Sequence, residues 1–388
     1  MLGSKIEKSK NFKKKLICFF INTLDGGGAE RALISLANQI SKDNYPVDLV
    51  VGDSNVYEKE VTNSINLIDF ETRSVKKLFY KFLIYANKKK PFIIVSALDG
   101  PNIIASLIRQ FSPFNGRLIL CQRAILFCGW AEFSTFKKCV FRILLSFSMR
   151  KADAIICNSD YAAKQILDEW NIDVKKVFSI NNFIDVRNIQ FHAQESLSGI
   201  ENYDHNRKLI ISVGSLYSIK DRITLIKAYL KIKSKTDAQL IILGEGEERA
   251  RIESFILENG LHDDVLLPGW VQNPYNWISQ ADVLVSSSET EGCPNNILEA
   301  LYLNTPIVAT DCPGGTNAIL ENGKWGKLVD VGDYCAMGQA ILDTLNNNKP
   351  VKTMAYAEVF SQRSIIDEYL SVINNLAYKK QNHLYDRI

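Results

Sequence analysis

At 388 residues, with 46% hydrophobic and 23% charged side chains, the chain is too long for one ordinary core and has room for about two. That balance is globular and excludes a disordered or fibrous chain. The net charge of +3 hides an asymmetry: residues 1–190 carry 28 Lys and Arg against 18 Asp and Glu, and the remainder 18 against 25, so an anionic surface would meet the first half. No apolar run approaches the ~18–20 residues that cross a bilayer, and no signal peptide is visible. Eight cysteines stand without C-x-x-C spacing, several in strand-like runs, which predicts reduced, buried thiols and a cytoplasmic location.

Strand-like and helix-like segments alternate along the whole chain, the pattern of α/β layers with parallel sheets. The spacing predicts strands over residues 16–21, 47–51, 92–96, 117–121 and 154–157, with helices over 32–40 and from about 161 to 170. Asn158, Ser159 and Asp160 precede that last helix, and any of the three has a side chain fit to cap it. Residues 191–207 lose hydrophobic content and gain Ser, Glu, Asn and Gly, as an interdomain connection does. The pattern then restarts, with strands over 209–213, 240–243, 265–267, 283–286 and 306–310. Helices are expected over 222–232, 249–257, 295–303 and 361–377. Two Rossmann-like units in tandem account for this alternation: residues 1–190, a linker over 191–207, residues 208–360, and a C-terminal helix over 361–388. Ligands of open α/β sheets sit at the carboxyl ends of the strands, so a cleft between the halves is expected.

The densest chemical signal is Glu291-Gly292-Cys293-Pro294-Asn295-Asn296-Ile297-Leu298-Glu299, a turn between a strand and a helix. Backbone N–H groups and the positive end of the helix dipole suit a phosphate there. The two carboxylates suit sugar hydroxyls, from which they accept hydrogen bonds. Phosphate donors beside hydroxyl acceptors describe a nucleotide-sugar site. The bland alternative is a solvated Glu299 that merely complements the dipole. Gly26-Gly27-Gly28 lies between the first strand and helix, but a dinucleotide fingerprint would need glycine where Arg31 stands, and a P-loop would need G-K-[ST]. Neither NAD nor ATP is supported. With four histidines and no H-x-E, C-x-x-C or D-x-D grouping, no metal site and no cofactor are expected.

The block from residue 265 to 333, with its E-x7-E pattern and the following Ala309-Thr310-Asp311-Cys312-Pro313-Gly314-Gly315, resembles the donor-binding half of glycosyltransferase family 4. The resemblance extends more weakly over nearly the whole chain. It implies a retaining, metal-independent transferase of the GT-B fold: two Rossmann-like domains facing a cleft, with the terminal helix crossing back to the first. The first domain would take the acceptor and the second a nucleotide-diphosphate sugar. Glu299 would hold the ribose hydroxyls, the backbone of Gly292, Cys293, Pro294, Asn295 and Asn296 the sugar and phosphates, and Glu291 the transferred sugar. Gly27 and Gly28 resemble the loop beneath that sugar. Lys220, in Val213-Gly214-Ser215-Leu216-Tyr217-Ser218-Ile219-Lys220, matches the lysine that stabilises the leaving diphosphate.

Two departures stand out. The family's arginine beside that lysine is Ser215 here, and Arg222 is near in sequence without an assignable role. The family's first-domain histidine is also missing; the comparable Leu120-Cys121-Gln122-Arg123-Ala124 offers Arg123 and Gln122 instead, with Arg123 facing the cleft or merely a surface or structural residue. These departures motivate a second reading, a non-catalytic nucleotide-sugar-binding scaffold; a nucleotide-sugar epimerase would need an acid/base set that is not visible. Residues 73–90 and 136–151 are basic, free of acidic residues and interleaved with apolar ones, as membrane-surface helices are. A lipid-linked acceptor at the inner face of the cytoplasmic membrane, in surface polysaccharide or glycan assembly, fits both that pattern and the family. Nucleic acid is not expected, because no nucleic-acid-binding module accompanies the charge.

Overall fold

A computed structural model of the protein describes residues 15–24, 28–54, 60–127, 130, 133–197, 200–347 and 352–385. The chain divides into two compact units, one of Met1–Asn181 with Arg363–Ile388 and one of Asn182–Gln362.

The first unit is built on seven parallel strands: β1 (Ile17–Thr23), β2 (Val47–Asp53), β3 (Asn66–Asp69), β4 (Ile93–Ala97), β5 (Arg117–Gln122), β6 (Ala154–Cys157) and β7 (Val177–Ser179). Their order is β3-β2-β1-β4-β5-β6-β7, so the winding reverses between β1 and β4. Every residue of β4 and β6 is buried, as a parallel sheet covered on both faces requires. Alternate residues of β1, Cys18 and Phe20, enter a core with Leu78 and Phe82 of the helix Val75–Lys89, Ile104 and Ile108 of Asp99–Phe111, and Leu145 and Met149 of Thr135–Lys151. The Phe20 and Phe82 rings stack at 3.7 Å. Of the three candidate caps on the helix Asp160–Trp170, Ser159 does the work, its side chain accepting from the Ala162 N–H at 3.2 Å.

The C-terminal helix Gln362–Tyr385 contributes to this unit from Arg363 onward. Tyr369 is buried in it, with the Arg123 guanidinium 5.7 Å from its ring. Arg123 is itself buried beside that helix.

The second unit has six parallel strands: β8 (Lys208–Val213), β9 (Ala238–Leu243), β10 (Val265–Gly269), β11 (Val283–Ser286), β12 (Ile307–Thr310) and β13 (Lys327–Val329). Their order, β10-β9-β8-β11-β12-β13, again reverses beside the first strand, between β8 and β11. One face packs Ile211, Ile241 and Leu284 against the helices Tyr275–Gln280 and Asn295–Tyr302; the other packs Ile210, Leu240 and Val285 against Arg222–Ile232 and Tyr334–Leu345.

The expected linker over 191–207 is corrected here. The division falls after Asn181, because the helix Val186–Ala193 buries Ile189 in the second core and Leu197, Ile200 and Tyr203 pack against that core. A polar segment studded with spaced apolar anchors reads as a connection in one dimension and is a docked strap in three.

Candidate active site

The carboxyl ends of β8 and β11 flank the point where the second sheet reverses its winding, which is where open α/β sheets bind ligands. Two sequence-predicted residues meet there. Lys220 ends a single turn of helix, Ser218–Lys220, in the loop after β8, and Glu291 lies in the loop after β11. Lys220 Nζ donates to Glu291 Oε1 at 2.5 Å, with the side chains only 22% and 10% exposed. Ser288 Oγ donates to the same oxygen at 2.7 Å. In so sheltered a place an ion pair is held rigidly, and neither group wanders as a surface lysine or glutamate does.

Backbone contacts fix the two loops to each other. The Glu289 N–H donates to Ile219 O at 2.9 Å, and Ser287 Oγ to Lys220 O at 2.8 Å. Glu291 is then braced from β12's side by an isolated parallel bridge to Gly314. Its N–H donates to Pro313 O at 3.1 Å, and the Gly315 N–H donates to Glu291 O at 3.0 Å. The Pro313-Gly314-Gly315 turn is therefore the seat on which Glu291 rests.

The helix Asn295–Tyr302 begins directly after Pro294. Asn296 Nδ2 donates to Val213 O at 2.9 Å, which ties this helix to the end of β8. Asn182 Nδ2 donates to Cys293 O at 3.2 Å and to Asn295 Oδ1 at 2.8 Å, holding the turn from behind. The Ile297 N–H is accepted by Asn296 Oδ1 at 2.9 Å and Pro294 O at 3.2 Å, so anion contacts at this end fall to N–H groups earlier in the loop. Cys293 and Pro294 are buried within the turn, while Gly292, Asn295 and Asn296 are half-buried. Glu299 is 8% exposed, which removes the solvated-helix reading of that carboxylate.

Gly28 lies in the first unit, opening the helix Gly28–Lys42 after β1; Gly27 falls outside the described residues. Ser215 follows β8 after Gly214, and Arg222, which sequence alone left without a role, is buried at the β8/β11 seam. Arg222 Nη1 donates to Ser212 Oγ at 2.5 Å, and Ser212 Oγ donates to Val285 O on β11 at 2.6 Å. Burial pulls the Arg222 pKa down to about 10, against the opposing influence of Glu291 and Asp221; it stays a cation at neutral pH. Ser288, Asn182 and Ser212 were also missed, since a lone serine or asparagine leaves no periodic signal. Among the described residues no three His, Cys, Asp or Glu side chains gather as metal ligands would.

Residues 193–358 match the family described as glycosyl transferases group 1, and residues 26–188 match glycosyltransferase family 4. A Campylobacter jejuni protein, N-acetylgalactosamine-N,N'-diacetylbacillosaminyl-diphospho-undecaprenol 4-alpha-N-acetylgalactosaminyltransferase, is 29% identical over 85% of this chain and 90% of its own length. A second transferase of that organism, acting by its name on a diNAcBac-PP-undecaprenol-linked glycan, is 25% identical over 85% of this chain and 89% of its own length. Among solved structures, sucrose-phosphate synthase from Thermosynechococcus elongatus superposes with a TM-score of 0.79 at 18% identity, covering 94% of this chain and 99% of that one. An Anabaena protein solved with UDP and glucose gives 0.78 at 18% identity, covering 93% and 99%. At such identities the structural likeness speaks for the fold. Together the two family matches, the transferase relatives and the paired Rossmann-like sheets establish that the chain belongs to glycosyltransferase family 4 and is a glycosyltransferase.

Proposed function

We propose that the protein moves a sugar from a nucleotide-diphosphate sugar, with retention at the anomeric carbon, onto a lipid-linked saccharide in surface polysaccharide or glycan assembly. The observation that carries this reading is the sheltered contact of Lys220 Nζ with Glu291 Oε1 at the β8/β11 switch point, with Glu299 buried on the next helix. Lys220 would neutralise the charge that builds on the leaving diphosphate. Its contact and that of Ser288 both fall on Oε1, and Oε2 of Glu291 is the oxygen that would meet a hydroxyl of the transferred sugar. Glu299 would accept from the ribose hydroxyls, and the backbone of Gly292–Asn296 would meet the phosphates. The acceptor oxygen bonds the anomeric carbon as the bond to the phosphate oxygen breaks; the acceptor's proton passes to that departing oxygen, on the same face of the sugar. Glu291, tied to Lys220 and Ser288, then orients the sugar and is not the nucleophile.

The names of the two Campylobacter relatives support an undecaprenol-type lipid carrier. So does the surface of the first unit. Phe136 and Ile143 on the helix Thr135–Lys151 are exposed beside Lys137 and Arg150, and Tyr80 and Ile84 on Val75–Lys89 are exposed beside Lys77 and Lys88. Both helices pack against Asp99–Phe111, whose last residue, Phe111, is exposed too. Apolar side chains among lysines are what an anionic lipid surface binds, so peripheral attachment to the inner face of the cytoplasmic membrane is part of the proposal. No helix among the described residues is long and apolar enough to cross a membrane.

The test is a donor screen. UDP-, GDP-, ADP- and TDP-sugars are offered, and nucleotide release and donor binding are measured together with a Glu291→Ala control and with EDTA added. Release from one donor, lost in the control and insensitive to EDTA, is the expected result; failure to bind any donor would sink the reading. For the membrane, neutralising Lys88, Lys89 and Lys90 together with Phe136→Ser should lower partitioning onto anionic liposomes, and unchanged partitioning would refute that surface.

A further inference from the structure

Arg222 is a buried cation at the switch point that the transfer reaction, as described, leaves without a task. The residue is 2% exposed, and no carboxylate among the described residues lies within ion-pair distance of its guanidinium. One nitrogen, Nη1, bonds a neutral serine, Ser212, while Nε is buried with no hydrogen-bond partner. A cation taken out of water without a matching anion is costly, and a fold that needed only volume here would use an apolar side chain. The location adds the second half of the argument. A Cβ built on Gly214 would sit 3.0 Å from Arg222 Nη2, so the guanidinium lies directly beneath the backbone of the loop that carries Ser215 to Lys220. The other cation of this loop, Lys220, is already matched by Glu291. Asp221 and Glu291 act on the guanidinium only from beyond ion-pair distance, so it lies buried under this loop with no anion among the described residues in contact.

We propose that Arg222 is a positioning residue whose buried charge, acting through the Gly214–Ser215 backbone, attracts the diphosphate of the donor and supplies the positive field that the neutral Ser215 does not. This rests on the nucleotide-sugar reading of the site. A bound diphosphate adds an anion on the far side of this loop, beyond the partial compensation that Asp221 and Glu291 give the buried cation. Beneath the loop the field is little screened by solvent, and a single charge at such depth is worth on the order of tenfold in affinity.

The experiment measures nucleoside diphosphate and nucleoside binding by calorimetry, together with the thermal midpoint, for the wild type, Arg222→Met, Arg222→Gln and Arg222→Lys. Arg222→Met and Arg222→Gln should fold with a midpoint equal to or above the wild type, bind the diphosphate on the order of tenfold more weakly, and bind the nucleoside unchanged. Arg222→Lys, which keeps the charge, should restore most of the diphosphate affinity. Equal diphosphate affinity in all four proteins would overturn the inference, and so would unfolding of both neutral variants, which would mark a structural role. A wild type that binds no nucleoside diphosphate would instead refute the nucleotide-sugar reading itself.

Discussion

Gly314 offers the sharpest test of how the site is held. Its φ is +129°, a conformation that side chains bearing a Cβ rarely adopt, and an added Cβ would lie 1.5 Å from the Glu291 carbonyl oxygen. Ordinary contact begins at 3.4 Å, so Gly314→Ala must push the two backbones apart by about 2 Å. The backbone strain is worth roughly 1–3 kcal/mol. Separation also breaks the bonds from the Glu291 N–H to Pro313 O and from the Gly315 N–H to Glu291 O. Each contributes roughly 0.5–1.5 kcal/mol, for a total of about 2–6 kcal/mol. In a unit of this size that lowers the thermal midpoint by about 5–20 °C. Glu291 moves with the bridge, and a displacement beyond about 1 Å costs on the order of 10²-fold in transfer rate. Gly260→Ala is the control: φ is +62° and nothing lies within 4 Å of the new Cβ. It should lose only about 1–2 kcal/mol and leave turnover intact. Thermal unfolding by circular dichroism and donor turnover on both variants decide the matter. If Gly314→Ala unfolds with Gly260→Ala and turns over like it, the bridge does not seat Glu291.

Removing the ammonium by Lys220→Met should lower sugar transfer on the order of 10²-fold, because the leaving diphosphate loses its direct cation; turnover within about threefold of wild type would refute that role. In the first unit, burial alone would raise the Asp153 pKa, but the hydrogen bond and charge of Arg109, the Leu118 N–H and Arg117 outweigh it and hold the carboxyl below its usual range. The stability this confers is present above the unfolded carboxylate pKa of ~4 and is lost as pH falls through the lower folded value. Asp153→Asn should therefore be less stable by about 3–5 kcal/mol at neutral pH, with the gap closing only below pH ~4 in urea titrations. A gap that is constant down to pH ~2 would contradict the ion-pair account. Among the described cysteines, Cys139 and Cys335 are exposed, whereas Cys18, Cys121, Cys157, Cys293 and Cys312 are buried, and burial pushes the thiols of Cys18, Cys121, Cys157 and Cys312 up. Alkylation of the native protein followed by peptide mapping should label the first two well before the other five.

Much of this protein is legible in its sequence because the central strands of a parallel sheet are buried on both faces and read as short apolar runs. Ala154–Cys157 and Val283–Ser286 match the expected runs residue for residue, as does the helix Arg222–Ile232. The strands that escaped, β3, β7 and β13, are three of the four edges of the two sheets, where half-buried residues leave no apolar run to read. The same locality of signal limits the site. Lys220, Glu291 and Glu299 are visible one at a time, each beside a turn at the end of a strand. That Lys220 and Glu291, 71 residues apart, share a hydrogen bond depends on the reversal of winding between β8 and β11, which only the assembled sheet produces. Arg222 shows the limit most clearly. In sequence it is one basic residue among many; its burial against the β8/β11 seam, with no carboxylate among the described residues within ion-pair distance, is set by how the strands assemble around it. Periodicity is a local property of the chain, and so the sequence by itself determined the elements and the class of site. Charge compensation and burial are properties of neighbours in space, and these only the tertiary structure decided.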